Sequence, residues 1–461
     1  MDFLRRLGAG LDSPTIPWKS LIITFSVGEW ALNSYLLYRQ YRVLQHTKPP
    51  AQLKNEVDQK TYDKSQAYGR AKAKFSFVTS IWAQIKNYIL IQHNVYYKLW
   101  AFAGTLMLNY APGRFQGEIT QSLLYICIHG IAETILSTPI DYYHHFVLEA
   151  AFGFNKQTLS LFITDKLKGI GLLVALGTPI GAGFLKIVQS TGDSFFFWLW
   201  LFMLAVQLLV VTLYPSLIVP LFNKLTPLEP GPLKQRVEAL AQKLKFPLGE
   251  LQVIDGSKRS AHSNAYFTGL PFLPRKIVLY DTLIEKAETK EVEAVLAHEL
   301  GHWKMGHTSK LLAISSFHLF YVFALFGVFI NNNSLYEAFG FHNQRPIIIG
   351  FMLFNEVLTP TDAIVKLLMN VLTRKYEFQA DAFSFDLGYA PEMAAALIKL
   401  QIQNLSAMDS DWAYSAYHYS HPTLTERLKA IGWTSEKKIS DQKPKIGGEK
   451  EANGSAERKE L

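Results

Sequence analysis

The stretch FFFWLWLFMLAVQLLVVTL, Phe195 to Leu213, decides what kind of fold to expect. It opens an almost unbroken apolar run that reaches Val219. A transmembrane helix needs about 20 mostly apolar residues, and this run supplies them. Working outward, six further segments read as spans: Trp18–Tyr38, Ile81–Leu108, Ile119–Pro139, Leu167–Lys186, Leu311–Ile330 and Pro346–Leu372. Two of the seven carry several polar groups. The second contains Lys86, Asn87, His93, Asn94 and Lys98, and the seventh contains Asn355, Glu356, Pro360 and Asp362.

Composition agrees with lipid as part of the solvent. The 461 residues are 49% hydrophobic and only 18% charged, whereas soluble domains carry about 25% charged residues. Mean hydropathy is slightly positive. The net charge of +8 is unevenly spread. The loop after the first span holds nine Lys and Arg residues from Arg39 to Lys74, whereas the loop after the second has only Arg114. The segment between spans five and six and the C-terminal region are also basic, and the loop after span six has only Arg345. The positive-inside rule then places the odd-numbered loops and the C-terminus in the cytosol and the N-terminus in the lumen. No Arg-rich run is interleaved with aromatics, so nucleic acid is not an expected partner, whereas anionic lipid is. The start, Met1 to Pro17, lacks an apolar core with a cleavage site and does not read as a removable signal peptide.

Two segments between or after the spans read as water-soluble. In the first, Asn223–Lys310, Leu233–Leu244 has the period of an amphipathic helix, Leu251–Ile254 and Lys276–Tyr280 read as strands, and Lys290–His307 reads as a helix. The second, Arg374–Trp433, is mostly helical in pattern. Both fall on the cytosolic side. The division expected is therefore 1–222 for spans one to five, 223–310 for the first part of a soluble domain, 311–372 for spans six and seven, and 373–433 for its second part. Residues 434–461 are a charged tail with almost no apolar residues, expected to be disordered.

The chemistry lies in Ala297-His298-Glu299-Leu300-Gly301-His302-Trp303. Residues four apart share a helix face, so His298 and His302 can offer two imidazoles to one metal ion, with Glu299 beside a metal-bound water as general base. A catalytic zinc takes three protein ligands and keeps one position open. Glu377 and Asp381, four apart in RKYEFQAD (Arg374–Asp381), supply candidates: one to ligate the metal, the other to orient a histidine. The lone cysteine, Cys127, sits mid-span, which excludes an internal disulfide and a four-cysteine zinc site. It reads as a packed thiol rather than a nucleophile. His307, five residues after His302, would lie about 140° around a continuous helix and is read as a non-ligand. Ionisable groups within spans, among them Glu29, Lys86, His93, His129, Glu133, Glu356 and Asp362, point either to helices lining a water-filled interior or to shifted span boundaries. Gly169, Gly171, Gly177, Gly181 and Gly183 read as sites of close helix packing.

HELGHW, RKYEFQAD and SHPTLTER (Ser420–Arg427), with GSKRSAHSNAYFTG (Gly256–Gly269) and FGFNKQT (Phe152–Thr158), together resemble the type I CAAX prenyl proteases. These are integral membrane zinc proteases of the endoplasmic reticulum. The resemblance runs from the first span to about Trp433. It implies a predominantly α, polytopic seven-helix membrane protein enclosing a chamber, with a cytosol-facing zincin-like α+β metalloprotease domain. It implies one zinc ion per chain on His298, His302 and Glu377, Glu299 as general base and acid, and Asp381 as the carboxylate orienting a ligand. Asn264, Ala265, Tyr266 and Phe267 then lie in a substrate-pairing edge strand, and His421 and Arg427 lie near the scissile bond.

By the same resemblance the reaction is removal of the last three residues of a prenylated CAAX protein, with a second upstream cut of a prenylated precursor in some members. The implied location is the endoplasmic reticulum membrane and the contiguous nuclear membrane. Two other readings compete: a general quality-control protease for membrane proteins, and a non-enzymatic seven-span receptor or transporter. The second leaves His298, Glu299, His302 and Glu377 without a role. Oligomeric state is not readable from the chain.

Overall fold

The computed structural model describes residues 2–269 and 275–433, so the expected tail, 434–461, lies outside the described residues. The chain is mostly helical with one small sheet. Among the described residues five helical rods are long and apolar enough to cross a membrane: Glu118–Glu149, Leu159–Ser190, Gly192–Phe222, His307–Phe329 and Ile347–Gln403. They contain the expected spans three to seven. The first expected span lies on the 26-residue helix Trp18–Val43. The second, Ile81–Leu108, is not one helix. Gln59–Gln92 ends at His93, and a new helix, Val95–Tyr110, starts after Asn94, whose φ is 52°. Asparagine tolerates this left-handed conformation better than other non-glycine residues, so it interrupts an otherwise apolar stretch.

Four of the long rods contain a π-helical turn: Tyr143–Glu149, Leu173–Gly177, Tyr214–Ile218 and Phe385–Tyr389, the last broken by Gly388 at φ 92°. Several charged groups in the spans are paired. Lys86 meets Glu133, and Tyr96 Oη donates to Glu356 at 3.1 Å. The expected glycine contacts are partly found. A side chain at Gly183 would strike Phe202, and one at Gly181 would crowd Leu123, but Gly169 and Gly171 face open space. At one end of the bundle Trp18, Phe326, Phe339, Phe341 and Phe354 form a large aromatic core.

The sheet has four strands, β1 (Leu225–Pro227), β2 (Leu248–Ile254), β3 (Ala265–Thr268) and β4 (Arg275–Tyr280), in the order β1-β2-β4-β3. β1 runs antiparallel to β2, β2 parallel to β4, and β3 antiparallel to β4, with Tyr266 opposite Val278. β3 is therefore an edge strand. The amphipathic helix Pro232–Leu244 packs Val237, Leu240 and Leu244 against Leu251, Ile277 and Leu279, and on Val292, Leu296 and Leu300 of the helix Thr289–Lys304. That helix stops before the expected His307. Gly306, with φ 67°, turns the chain, and a second helix runs from His307 to Phe329. A glycine just past a helix end is the residue able to take this conformation without cost.

The 38-residue helix Ile347–Ser384 joins span seven to the Glu377 segment without a break, so the boundary expected at 372/373 falls inside one rod. At 1.5 Å per residue it is about 57 Å long. Its end packs Phe383 into the core of the sheet segment, together with Leu387, Tyr389 and Leu400 that follow. Distant pieces of chain thereby form one packed unit around the site.

Candidate metal centre

Two helices build the site. Thr289–Lys304 carries His298, Glu299 and His302. Its N-terminus is held by a reciprocal Glu288–Glu291 capping box, and its flank by Ser384 Oγ donating to the Ala294 carbonyl at 3.2 Å. Tyr389 Oη donates to Glu293 at 2.7 Å and Lys399 Nζ to Glu291 at 2.6 Å, tying this helix to the chain that follows Glu377. The close approach of the second helix depends on Gly301. A Cβ there would lie 3.1 Å from Phe383 Cδ1 and 3.3 Å from Ala380 Cα. The glycine within the motif thus lets the helix bearing Glu377 come near the two histidines.

Three ligand-type atoms converge. His298 Nε2 and His302 Nε2 are 3.2 Å apart. Glu377 Oε2 is 3.4 Å from His298 Nε2, and Glu377 Oε1 is 3.2 Å from His302 Nε2. Donors at 2.0–2.1 Å around a tetrahedral ion are separated by about 3.3 Å, so the spacing matches such an ion. His298 and Glu377 are buried, and Glu377 Oε2 is a buried acceptor without a hydrogen-bond partner. A cation supplies what that oxygen lacks. Among the described residues this is the one group of at least three such side chains placed to hold a metal ion.

The remaining expected residues are distributed around this trio. Asp381 Oδ1 is 2.8 Å from His298 Nδ1, which leaves the other ring nitrogen facing the centre. Arg427 grips Asp381 with two bonds, Nε at 2.8 Å and Nη2 at 2.6 Å, and its Nη1 lies 3.8 Å from Glu377 Oε2. Its first contact is thus with the carboxylate behind His298. His421, on the exposed rim, places Nε2 3.2 Å from Glu377 Oε1 and bonds Ser420 Oγ through Nδ1. Glu299 is half-buried, and its carboxylate has no protein hydrogen bond among the described residues. Burial raises its pKa above the ordinary glutamate value. Burial opposes charge on the His298 imidazole, but the adjoining Asp381 and Glu377 carboxylates outweigh it, so its pKa in the metal-free site rises to about 9.

Asn264 immediately precedes β3. Its Oδ1 accepts from Ala265 N–H at 2.8 Å, and its carbonyl accepts from Tyr280 N–H at 3.1 Å. Ala265, Tyr266 and Phe267 lie within the edge strand, which packs against the helix of His298 and His302.

The sequence reading missed one layer. His307 touches the site without being one of the three converging donors: its Nδ1 is 3.0 Å from His302 Nδ1, and its Nε2 is 3.0 Å from Gln379 Oε1. Tyr376 stacks on the ring at 4.1 Å and 5°. If His302 Nε2 faces the ion, its Nδ1–H donates to His307 Nδ1, and His307 Nε2–H donates to Gln379. The turn at Gly306 brings His307 here; a continuous helix would have carried it away. The glycine after Lys304-Met305 was the available signal.

Residues 40–224 match the family model described as the CAAX prenyl protease N-terminal region with five membrane helices, and residues 227–434 match that of peptidase family M48. CAAX prenyl protease 1 of Saccharomyces cerevisiae is 45% identical over 444 residues, covering 93% of this chain and 98% of the yeast protein. The human CAAX prenyl protease 1 homolog is 37% identical, covering 89% of this chain and 94% of the human protein. The crystal structure of Ste24p from S. mikatae superposes with a TM-score of 0.86 at 45% identity, covering 91% of this chain and all of the Ste24p chain. The receptor or transporter reading is thereby set aside. The chain belongs to the CAAX prenyl protease 1 family, as a multi-pass membrane metalloprotease of the M48 peptidases.

Proposed function

We propose that this enzyme binds one zinc ion through His298, His302 and Glu377 and removes the last three residues of prenylated CAAX proteins. The observation that carries the reading is the near-tetrahedral spacing of those three donors beside Glu299, a carboxylate without a protein hydrogen bond among the described residues. The donor set, two imidazoles and one carboxylate, suits a catalytic zinc with an open position. When bound there, zinc lowers the pKa of water and polarises the scissile carbonyl. Glu299 takes the proton from that water and passes it to the leaving amine, which suits a carboxyl whose pKa is raised by burial. Asp381 fixes the tautomer and direction of His298, and Arg427 holds Asp381 in turn. His421, on the open rim, is the donor placed to meet the developing oxyanion, a role typically worth about 3–4 kcal/mol. A peptide adding to β3 along Asn264–Phe267 gains main-chain hydrogen bonds and is held in register.

The substrate class comes from the names of the relatives and is supported by physics. A prenylated C-terminus partitions into the bilayer, where a membrane-embedded protease meets it at raised local concentration. The reading includes seven spans, Trp18–Val43 and the Gln59–Tyr110 pair supplying two besides the five apolar rods. It also places the N-terminus in the lumen, the metal centre on the cytosolic side and the protein in the endoplasmic reticulum and nuclear membranes. The soluble unit is built from about 223–310 and 373–433. The rods Glu118–Glu149 and Gly192–Phe222 have only 6% of their most apolar windows buried within the protein. Helices so little covered by protein suit a wall with lipid on one side and a chamber on the other. A second, upstream cut of a prenylated precursor uses the same centre.

The test is incubation of purified protein with a farnesylated CAAX peptide, comparing the native chain with Glu299→Ala. The native chain releases the C-terminal tripeptide; the variant retains zinc and does not. Equal release by both removes Glu299 from this role. Turnover of non-prenylated membrane proteins at the same rate as the prenyl peptide favours the quality-control reading instead.

A further inference from the structure

A cavity of about 790 Å³ opens beside the chain that leads into β3. Its walls are the helix Gln59–Gln92 at Tyr68 and Lys72, the rod Glu118–Glu149 from Thr134 onward, the segment Phe154–Gln157, the helix Leu159–Leu172 and the stretch Arg259–His262. The volume falls in the range of about 300–1,000 Å³ typical of small-ligand sites. Phe154, Phe162 and Ile170 form an apolar side, and three acids and three permanent cations line the rest.

These charges are not evenly used. Asp141 holds Lys166 at 2.5 Å. Asp165 accepts two bonds from Arg259, at 2.9 and 3.0 Å, and a third from Gln157 at 3.1 Å. Glu149 accepts from Tyr68 Oη at 2.6 Å and lies 3.7 Å from His144 and 3.5 Å from His262. All three acids therefore have partners. The donors left over are cationic. Arg259 Nη1 is buried without an acceptor, and Lys72 Nζ sits 5.0 Å from the Tyr68 ring centre with no carboxylate partner among the described residues. A buried donor without an acceptor is costly, and an anion is the ligand that relieves it.

The cavity also lies at a stop. Asn155 and Ser260 form an antiparallel bridge, Lys156 N–H donates to the Arg259 carbonyl, and Ala261 N–H donates to the Phe154 carbonyl, each at 3.1 Å. These bonds occupy the backbone just ahead of β3. A peptide added antiparallel to β3, the slightly more stable pairing sense, runs its C-terminal end past Asn264 toward this closed end. An enzyme that releases a fixed number of terminal residues requires such a stop and a group that reads the terminus.

We propose that this cavity binds the free α-carboxylate at the substrate's C-terminus, with Arg259 and Lys72 as its cations, and so sets the length of the released peptide. The assignment rests on the C-terminal cleavage proposed above. The test uses the full-length, metal-loaded protein and a farnesylated peptide ending in three apolar residues, as the free acid and as the C-terminal amide. The native chain shows a KM for the acid lower by about tenfold or more, the scale of one charge-assisted hydrogen bond. Lys72→Gln, and the paired change Arg259→Gln with Asp165→Asn, bring acid and amide close to parity by raising KM for the acid alone. Lys72 is exposed, so its replacement leaves the core intact, and the paired change leaves no buried carboxylate unmatched.

A second measurement needs no turnover. Binding of the labelled free tripeptide to Glu299→Gln protein shows the same preference for acid over amide. Cleavage without that preference, or its survival in the variants, overturns the carboxylate site and leaves the cleavage reading standing. No cleavage of either peptide, with acid-selective tripeptide binding retained, overturns the cleavage reading and leaves the site. Inorganic phosphate displacing the tripeptide at equal concentration shows a general anion site and also overturns the assignment.

Discussion

Replacing His307 by alanine removes a support that never touches the metal. The ring is 1% exposed and is clamped on three sides, by His302 Nδ1, by Gln379 Oε1 and by the face of Tyr376. His302 Nδ1 has no other protein partner among the described residues, so the substitution leaves that imidazole free to rotate about its bonds and to take the wrong tautomer. Supports of this kind typically change metal affinity by about 10- to 100-fold, or about 1.4–2.8 kcal/mol. Asp381 supports the other imidazole with a carboxylate and should lie at the upper end of that range. His307 offers a neutral ring and should lie at the lower end. The assay is chelator competition for zinc with detergent-purified His307→Ala, read beside Gln379→Leu, which breaks only the far end of the relay. The expected order of zinc affinity is native, then Gln379→Leu, then His307→Ala, with thermal unfolding of the zinc-free proteins recorded to separate site loosening from global loss of stability. A His307→Ala variant that holds zinc as tightly as the native chain would refute the relay.

Three further outcomes are expected. In the metal-free site His298 is protonated below about pH 9, and a ligand must be neutral, so zinc binding at pH 7 releases a proton. Apparent affinity should fall by about tenfold for each unit of pH below that value, measured by chelator competition from pH 6 to 8; an affinity independent of pH between 7 and 8 contradicts the raised pKa of His298. Gly301→Ala should cost about 1–3 kcal/mol of stability and loosen zinc binding, because the new methyl presses on Phe383 and on the backbone of Ala380; unchanged melting and zinc affinity would show that the helices yield freely. Glu299→Gln should keep zinc at full occupancy and lower kcat by about 10²- to 10⁴-fold, read as peptide release over time; a change confined to KM would point to binding instead.

The residues differ in how plainly they showed their places. His298, Glu299 and His302 could be read directly, because helix geometry alone puts two imidazoles four residues apart on one face. Glu377 needed a second helix and a compartment argument, and choosing it over Asp381 needed resemblance as well, since both lie on the same face. β2 and β4 were legible from their β-branched runs; β1 is only three residues long and carries no periodic signal. The kink at Asn94 was hidden because hydropathy averages over a window and does not see one backbone angle. His307 was misplaced for a similar reason: one glycine redirected the chain, and an angular projection along a single helix could not follow it. The cavity near Arg259 was out of reach altogether. It is assembled from five stretches of chain, and no local pattern announces which charges end with partners and which do not.

The 38-residue rod that carries Glu377 also sets the timetable of biogenesis. His302 leaves the ribosome 75 residues before Glu377, a delay of about 4–15 s at about 5–20 residues per second. During that interval two hydrophobic segments are inserted while a histidine pair waits without its third ligand. The full trio of donors therefore exists only once the chain has been made through Glu377. A chain whose synthesis halts before Glu377 lacks one of the three converging donors and is expected to be an inert precursor rather than an unregulated peptidase.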